Sequence, residues 1–345
     1  MANFSASDLT LFSEQILRAL GVAEAKARLT AAALVAASLR GVDSHGMQLL
    51  PFYVEQIESG DMDAVADGHV VSESGCCLLF DGENGIGQGV AGVCCEHAIR
   101  LARQYGAGVV VARESNHFGA AAYWAQKISA AGQIGIVTCN ASSLVPPWQG
   151  REPRLGTNPI CMSVPGPWLL DMATTTVAAG KVFKARINGQ PTIPHGWALD
   201  SSGVPTNDTE EAWKGMLMPL GGYKGTGLAM LADILSAVLG GGAMGKEIGS
   251  LRVRGRRLRV SQTFLAIDIS RFIPVEEFRA RMEQRVAEVK SAAPAPGYDE
   301  VLVAGDPEWR TERERERHGI PVHDGTWERL LQIAERLSVP VPVRC

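Results

Sequence analysis

The stretch Arg40-Gly41-Val42-Asp43-Ser44-His45-Gly46 closes an alanine-rich helix that the apolar spacing predicts over residues 24–39. Histidine can give and take a proton near neutral pH, because its unperturbed pKa is about 6.5. A hydroxyl and a carboxylate lie beside His45, and the flanking glycines suit a helix C-cap and a tight turn. The stretch therefore predicts a general acid/base at the end of a rigid element. The alternative is that Asp43 and Ser44 cap the next helix, with His45 in its first turn.

Helices flank this stretch on both sides. One begins at Ser7-Asp8-Leu9 and stops at Gly21, and another covers about 47–57, so a small helical unit presents His45. Strands and helices then alternate, and polar residues follow the strand at 108–112, where α/β enzymes place their chemistry. The predicted strands are 70–80, 108–112, 133–140, 160–164, 168–172 and 262–269, and the later helices are 88–105, 120–131, 226–239, 274–291, 308–318 and 327–337.

Length and composition favour a globular protein with two domains, one of which could interrupt the other. The chain has 345 residues, 46% of them hydrophobic, which exceeds what one hydrophobic core usually serves. Its formal net charge of -4 argues against a nucleic-acid partner. Small neutral or anionic ligands remain compatible with this charge.

The cysteines and the N-terminus indicate a reducing compartment. The seven cysteines show no CxxC or Cys/His metal spacing, so we expect small apolar core residues, no disulfides and no bound metal. The N-terminus lacks a basic region followed by an apolar one, and no apolar run is long enough to cross a membrane. These features predict a cytoplasmic protein with no membrane partner.

Two glycine-rich segments are candidates for binding a phosphate. Glycines at 85, 87 and 89 follow a predicted strand, but their GxGxG spacing is not the GxGxxG of a Rossmann loop, so we reject that interpretation. The segment Gly221-Gly222-Tyr223-Lys224-Gly225 leads into an apolar helix. Its glycines, its lysine and the helix N-terminus suit a carboxylate or a phosphate, whereas the alternative is a plain junction between loop and helix.

Two other segments are predicted to lie on the surface. Glycine, proline and aspartate between 194 and 213 indicate a long surface excursion. Arginines alternate in part with apolar residues between 252 and 259, which predicts a solvated sheet edge that discourages strand aggregation. These arginines are Arg252, Arg254, Arg256, Arg257 and Arg259.

Six ordered motifs together resemble the malate/L-lactate dehydrogenase family, which is unrelated in fold to the Rossmann lactate dehydrogenases. The similarity extends from about 9 to 337. The motifs are Arg40-Gly-Val-Asp-Ser-His-Gly46, Ser115-Asn-His-Phe-Gly119, Leu155-Gly-Thr-Asn-Pro159, Leu170-Asp-Met-Ala-Thr174, Gly196-Trp-Ala-Leu-Asp200 and Gly221-Gly-Tyr-Lys-Gly225.

The resemblance implies an α/β oxidoreductase that uses NAD or NADP and acts on a small-molecule substrate. It implies a helical N- and C-terminal unit, residues 1–68 and 270–345, around an inserted nicotinamide-binding domain of non-Rossmann fold, residues 69–269. It also implies a homodimer. The expected chemistry moves a hydride between the nicotinamide and the carbon of a 2-hydroxy or 2-oxo acid, or of a cyclic imino acid in a ketimine reductase.

The resemblance also assigns roles to residues. His45 is expected to be the general acid/base, with Ser44 hydrogen-bonded beside it and His117 across the pocket near the nicotinamide. The expected substrate-binding residues are Gln48, Leu49, Tyr53, Arg40 and Thr157. The expected cofactor-binding residues are His117, Phe118, Gly119, Asn140, Asp171, Met172, Ala173, Thr174, Lys224, Gly305, Asp306 and Pro307.

One position departs from the family pattern. Four residues after this histidine, the family usually has an arginine suited to a bidentate grip on the substrate carboxylate, and this chain has Leu49. Either another cation takes over, or the substrate is a larger or less anionic keto compound or a cyclic imine. The candidate cations are Arg40, Arg151, Arg154 and Lys224.

Two functions of other classes stay open. A metal-assisted hydrolase or lyase could use Asp43, His45 and His117, although no HExxH or other dense ligand spacing is present. A family member that binds ligand without turnover is the other alternative, suggested by Leu49 alone.

Overall fold

Residues 2–345 are described by a computed structural model, in which they form eleven α-helices and twelve β-strands. The helices are α1 (Ala6–Ala19), α2 (Glu24–Leu39), α3 (Leu50–Glu58), α4 (Gly87–Tyr105), α5 (Ala121–Ser129), α6 (Ala179–Ile187), α7 (Thr209–Lys214), α8 (Tyr223–Asp233), α9 (Val275–Lys290), α10 (Asp306–His318) and α11 (Asp324–Leu337). The strands are β1 (Ala2–Phe4), β2 (His69–Ser74), β3 (Cys77–Asp81), β4 (Ala107–Ser115), β5 (Gln133–Cys139), β6 (Ile160–Ser163), β7 (Leu169–Met172), β8 (Ala198–Leu199), β9 (Pro205–Thr206), β10 (Met216–Leu217), β11 (Val260–Asp268) and β12 (Ile320–Val322).

A seven-stranded mixed sheet forms the centre of the molecule. Its strand order is β2-β3-β4-β11-β5-β6-β7, and β3 with β4 is its parallel pair, while the other neighbours are antiparallel. A Rossmann sheet is mostly parallel, so the expected α/β fold of non-Rossmann type is confirmed. The predicted strand at 70–80 is a hairpin, which turns at Gly75 with a φ of +54°.

The two ends of the chain form one helical layer. β1 pairs with β12, and the ring of Trp327 packs between the first two N-terminal elements, 4.1 Å from the Phe4 ring centroid and 5.7 Å from that of Phe12. These residues belong to one buried apolar cluster with the inner faces of α1, α2, α3 and α11. The expected packing of the N-terminal unit against the C-terminal helices is therefore confirmed, while the domain bounds at 68 and 270 stay a prediction.

A third, smaller core was not predicted. It gathers apolar residues between 145 and 229, including Val182, Ala198 and Ala212, around the short sheet β10-β8-β9. The excursion predicted over 194–213 thus contributes buried residues. Strands of two residues are too short to show a period of alternation, which is why the sequence pattern did not indicate them.

The arginine-rich segment 250–259 is a loop, so the predicted sheet edge is wrong there. Arg259 ion-pairs with Glu114 at 2.8 Å, and Arg254 ion-pairs with Glu55. The loop contacts β4 through Arg259 and α3 through Arg254. These arginines are held by tertiary partners and do not form a row along a strand.

All seven cysteines are free, but they are not all core residues. Cys94, Cys95, Cys139 and Cys161 are buried as expected, whereas Cys77 and Cys345 are exposed. Within residues 2–345, no helix combines the length and apolar character that crossing a membrane requires.

Candidate active site

Two glycines fix the turn that carries His45. Gly41 has a φ of +78°, and the Val42 N–H donates to the Ala37 carbonyl at 2.9 Å, which is the left-handed C-cap that the sequence predicted. A Cβ at Gly46 would lie 2.1 Å from the Ser38 hydroxyl oxygen, so only glycine fits there. Residues Asp43–His45 form a single 3-10 turn between these glycines. The following helices have no side-chain N-cap, so the capping interpretation of Asp43 and Ser44 is wrong.

The hydroxyl beside His45 contacts it, and the carboxylate does not. Ser44 Oγ lies 3.0 Å from His45 Nδ1, as expected. Asp43 instead faces α10, where its Oδ2 accepts a hydrogen bond from Arg315 Nη2 at 3.1 Å as part of a bidentate ion pair. Asp43 therefore holds the turn in place and does not orient the imidazole.

His117 follows β4 and receives two hydrogen bonds at one ring nitrogen. The Gly119 N–H donates to His117 Nδ1 at 3.2 Å, and the Tyr53 hydroxyl lies 2.8 Å from the same nitrogen. Gln88 Nε2 donates to the Tyr53 oxygen at 2.9 Å, and burial raises the pKa of Tyr53, so the phenol keeps its proton and donates onward. Since Nδ1 accepts, the proton of the neutral ring lies on Nε2.

The two histidines lie together, as predicted. Their ring centroids are 5.5 Å apart and their planes differ by 27°. Burial lowers the pKa of His45 to about 4, and the positive charge of Arg252 acts in the same direction. Burial, His45 and Arg252 together lower the pKa of His117 to about 3. Both rings are therefore neutral at pH 7 in the free protein.

The glycines at 85 and 87 serve close packing beside this site. A Cβ at Gly87 would lie 2.4 Å from the carbonyl oxygens of both Asn116 and His117, and one at Gly85 would lie 2.8 Å from the Ala66 oxygen. Gly87 lets α4 start directly against the loop that carries His117. Close packing therefore explains these two glycines, which agrees with our rejection of a Rossmann phosphate loop in this segment.

The end of β7 joins the segments expected to bind the cofactor. Asp171 Oδ2 accepts from the Ala122 N–H at 2.8 Å, which ties β7 to the helix that follows Phe118 and Gly119. Desolvation raises the pKa of the Asp171 carboxyl to about 6, against the opposing effect of the Ala122 N–H. Met172 and Ala173 are partly exposed just beyond it.

The remaining expected cofactor segments also meet β7. The Thr174 carbonyl accepts from the Leu220 N–H at 3.0 Å, next to the start of α8, and the Leu169 N–H donates to the Ala304 carbonyl at 3.2 Å, next to Gly305. Pro307 lies in the first turn of α10. The structure therefore places 118–119, 171–174, 224 and 305–307 along β7, with 305–307 beside its first residue, Leu169.

The side chains of two expected cofactor residues already have polar partners within the protein. Asn140 Nδ2 donates to the Ala243 carbonyl at 2.9 Å, and its Oδ1 accepts from the Ser261 N–H at 2.8 Å. Asp306 Oδ2 is held by Lys290 Nζ at 2.9 Å and by a backbone N–H. These two side chains hold neighbouring backbone in position.

The start of α8 fits an anionic group such as a dinucleotide phosphate. Gly221 and Gly222 have φ values of +57° and +67°, and a Cβ at Gly222 would lie 2.9 Å from the Trp148 ring. The helix has no side-chain N-cap, and Lys224 is exposed in its first turn. A helix N-terminus with an adjacent lysine and no side-chain cap is suited to a phosphate.

The expected substrate residues divide into two groups. Tyr53 contacts His117, and Gln48 and Thr157 are partly exposed, with the Thr157 carbonyl accepting from the Thr174 N–H. Leu49 is 4% exposed and packs in the helical core. Arg40 faces α10, where it ion-pairs with Glu312 at 3.5 Å and lies 5.9 Å from the Trp309 ring centroid. The structure thus does not present Leu49 and Arg40 to a ligand beside the histidines.

Sequence reasoning missed two residues of the site. Gln88 orients Tyr53, and Arg252 contributes positive charge to both histidines. Gln88 is buried in the glycine run, and Arg252 belongs to the arginine-rich loop. Neither has a local signal, because both act through contacts between distant parts of the chain. Among residues 2–345, no group of three His, Cys, Asp or Glu side chains is arranged to hold a metal ion.

The chain is similar to known dehydrogenases along nearly its whole length. The profile of a family described as malate/L-lactate dehydrogenase matches residues 4–331. A malate dehydrogenase of Pyrococcus horikoshii is 40% identical over 95% of this chain and 93% of its own. The structure of the sulfolactate dehydrogenase of Methanocaldococcus jannaschii has a TM-score of 0.93 at 33% identity, covering 99% of this chain and 98% of that one.

A third relative is named as a reductase. The structure of a delta1-piperideine-2-carboxylate reductase of Pseudomonas syringae pvar. tomato has a TM-score of 0.85 at 26% identity, covering 97% of this chain and all of that one (100%). With the family profile spanning most of the sequence, the resemblance seen in the six motifs is confirmed. The chain belongs to the malate/L-lactate dehydrogenase family.

Proposed function

We propose that the protein moves a hydride between NAD or NADP and the carbon of a 2-hydroxy or 2-oxo acid, with His45 as the general acid/base. The observation that supports this assignment is the unequal hydrogen bonding of the two neutral histidines. His117 accepts at Nδ1 from two donors, whereas His45 has one hydroxyl neighbour, Ser44, at the same ring position.

This difference gives the two rings different chemistry. Nε2 of His117 carries the proton, so this ring donates a hydrogen bond to a substrate oxygen and cannot take up a proton there. A serine hydroxyl both donates and accepts, so Ser44 can accept from His45 Nδ1–H and leave Nε2 of His45 free as a base. In oxidation His45 takes the hydroxyl proton of the substrate, and in reduction it returns that proton to the oxygen.

The nicotinamide, when bound, supplies or accepts the hydride. The residues that would hold the cofactor are the start of α8 with Lys224, the end of β7 over 171–174, and 305–307 at the start of α10. The protein's own contribution is to orient the substrate, exclude water and manage the proton. Whether the cofactor is NAD or NADP is decided by assaying both.

The test is a spectrophotometric assay of purified protein with NADH and NADPH against 2-oxo acids and cyclic imines. We expect wild-type turnover on at least one compound, and His45→Asn should lower kcat on the order of a thousand-fold. His117→Ala should keep measurable turnover at about a hundred-fold lower kcat, because it removes a donor and not the base. The His45 variant should bind reduced nicotinamide as the wild type does.

Other outcomes would identify other roles. If His45→Asn kept nearly full turnover, His117 would be the acid/base and the assignment would be wrong. Cofactor binding without turnover on any compound would favour a non-catalytic ligand-binding protein. Activity that disappears on chelation, with a metal found by elemental analysis, would favour the metal-assisted hydrolase.

Cyclic imino acid reduction is the second candidate, favoured by the structural similarity to the piperideine-2-carboxylate reductase. The same hydride and proton positions serve a C=N bond, since His45 then manages the proton on nitrogen. A kcat/KM higher for a cyclic imine than for every 2-oxo acid in the panel would select this candidate.

An exposed apolar surface supports a homodimer. α8 and the π-helix that continues it, Ile234–Val238, pack one side on β11, where the Thr263 hydroxyl donates to the Leu235 carbonyl. The opposite side is apolar and exposed, which is typical of a protein interface. The exposed apolar residues of this surface, here called the α8 surface, are Tyr223, Met230, Leu231, Ile234, Leu235, Val238 and Leu239.

A further inference from the structure

We propose that Arg252 holds the carboxylate of the substrate and thereby determines specificity for 2-oxo or 2-imino acids. This inference rests on the proposed function, because it names a contact within the same site. The residue lies in the loop 250–259, far along the chain from both histidines. It supplies a cation near a site where position 49 offers only a buried leucine.

The loop that carries Arg252 is anchored on α3. Gln56 is fully buried, and its Nε2 donates to the carbonyls of Leu251 and Val253, the two neighbours of Arg252, at 3.1 and 3.2 Å. Further along, the Gly255 N–H donates to Asp61 Oδ2 at 2.8 Å. Because both flanking residues are held by one buried side chain, the backbone of Arg252 has a fixed position relative to the helix that carries Tyr53.

Two aromatic rings hold the guanidinium. Its Cζ lies 5.6 Å from the ring centroid of Phe52 on α3 and 5.4 Å from that of Phe183 on α6. Phe52 precedes Tyr53, whose hydroxyl binds His117. α6 runs beside His45, since a Cβ at Gly180 would lie 2.9 Å from that of Ser44. The two helices that flank the histidines therefore also position Arg252.

Arg252 has no counter-ion among residues 2–345, where no carboxylate oxygen lies within 4.0 Å of its guanidinium. The neighbouring arginines differ, because Arg254 and Arg329 both pair with Glu55. Arg252 nevertheless lies near the histidines, because the Phe183 ring beside its guanidinium belongs to α6, whose Gly180 packs against Ser44. Its charge acts to lower the pKa of both His45 and His117. An unpaired guanidinium beside an acid/base residue is suited to an anionic ligand.

The cations considered from sequence are less suited to this role. Arg40 is paired with Glu312 and Arg154 with Glu152. Lys224 lies at the start of α8, where the cofactor is expected. Arg151 is exposed. It packs against the loop beside β9, since a Cβ built on Gly203 would lie 2.7 Å from the Cβ of Arg151.

The ligand chemistry follows from the guanidinium. Its planar fork binds a carboxylate through two parallel hydrogen bonds, and the flanking Phe52 and Phe183 rings limit the directions in which it can do so. A bound carboxylate would also offset the charge that acts on His45. The charged and titratable groups that face His45 are Arg252 and His117, so neutralising Arg252 raises the pKa of His45. Substrate binding thus raises the fraction of His45 that carries the proton needed for reduction.

The test compares Arg252→Gln with the wild type on the best 2-oxo acid of the panel and on its carboxamide. For the acid, KM should rise on the order of 100-fold with little change in kcat, because a charge-assisted contact is lost. For the amide, which has no charge to lose, KM should change less than about threefold. Arg252→Lys, which keeps the charge but loses the fork, should raise KM for the acid about tenfold.

The matched control is Arg257→Gln, which removes the same charge from another exposed position in the same loop and should leave both KM values unchanged. Equal losses on acid and amide would show a structural role and overturn the proposal, and so would an unchanged KM for the acid. If Arg252→Gln failed to fold, the acid-specific effect of Arg252→Lys would decide.

Calorimetry separates this inference from the proposed function. Oxamate, an unreactive analogue of a 2-oxo acid, should bind the wild type with its cofactor and bind Arg252→Gln on the order of 100-fold more weakly. A wild type that reduces nothing would contradict the proposed function, while the oxamate comparison would still test Arg252. Equal oxamate affinities in an active enzyme would overturn this inference alone.

Discussion

The two histidines of the site are chemically distinct although both are neutral at pH 7. A backbone N–H cannot reverse its direction, so Gly119 fixes Nδ1 of His117 as an acceptor, and the buried phenol of Tyr53 adds a second donor. Ser44 places no such restriction on His45. The division of labour between acid/base and hydrogen-bond donor therefore comes from the neighbours of each ring.

The lowered pKa of His45 predicts the pH dependence of substrate oxidation. A base must be unprotonated, and with a pKa of about 4 in the free protein His45 stays unprotonated from neutral pH down to that value. We therefore expect kcat/KM for oxidation to be nearly constant between about pH 7 and pH 5. An ordinary histidine would already be half protonated at about pH 6.5. A pH profile of initial rates measures this directly.

The control for this pH profile is Arg252→Gln, which removes the positive charge that acts on His45. Without that charge the pKa of His45 rises, so the acidic decline should move to higher pH in Arg252→Gln. A wild-type profile that falls with a midpoint near about 6.5 would show that the base is not held in the environment described here.

At the scale of elements, loops supply function because buried side chains fix them. The 3-10 turn of His45 is held by Asp43 on Arg315, and the loop of Arg252 is held by Gln56. Each anchor joins parts of the chain that are distant in sequence. The start of α8 uses a different device, since two glycines of positive φ precede it and no side chain caps it.

The α8 surface predicts the oligomeric state. Ile234 is 50% and Val238 is 54% exposed, and one helical turn separates them on the apolar side. The double variant Ile234→Glu/Val238→Glu should abolish self-association, because carboxylates would be buried at the interface. Sedimentation should give twice the chain mass of 36.8 kDa for the wild type and 36.8 kDa for the variant.

Phe272→Glu is the control for this measurement. Phe272 is 76% exposed and lies outside the α8 surface, so its substitution should leave the mass unchanged. A wild type that sediments as a monomer at micromolar concentration would remove the support for the homodimer.

At the scale of the whole molecule, the site forms where two cores meet. His45 follows a helix of the helical layer, and His117 follows β4 of the central sheet, with Tyr53 on α3 joining them. The sequence predicted those parts that local rules govern: the C-cap at Gly41, and the strand, polar loop and helix around His117. Recognition of six motifs then supplied the family and the non-Rossmann α/β fold.

The parts that the sequence did not predict depend on contacts between distant segments. The arginines at 252–259 alternate with apolar residues as an exposed strand would, so the pattern indicated an edge. Only the folded chain brings Gln56 to this loop and Arg252 to the histidines. Asp43 was misassigned for the same reason, since Arg315 on α10 competes for it and is close only in the fold.

The most direct measurement of the proposed reaction is the transfer of an isotope. Reduced nicotinamide with deuterium in both C4 positions would be incubated with the protein and the best 2-oxo acid or cyclic imine, and the product analysed by mass spectrometry. We predict product with one deuterium on the carbon that carried the C=O or C=N bond, formed by the wild type and on the order of a thousand-fold more slowly by His45→Asn. Product without deuterium, or deuterated nicotinamide that stays intact with every compound, would contradict hydride transfer.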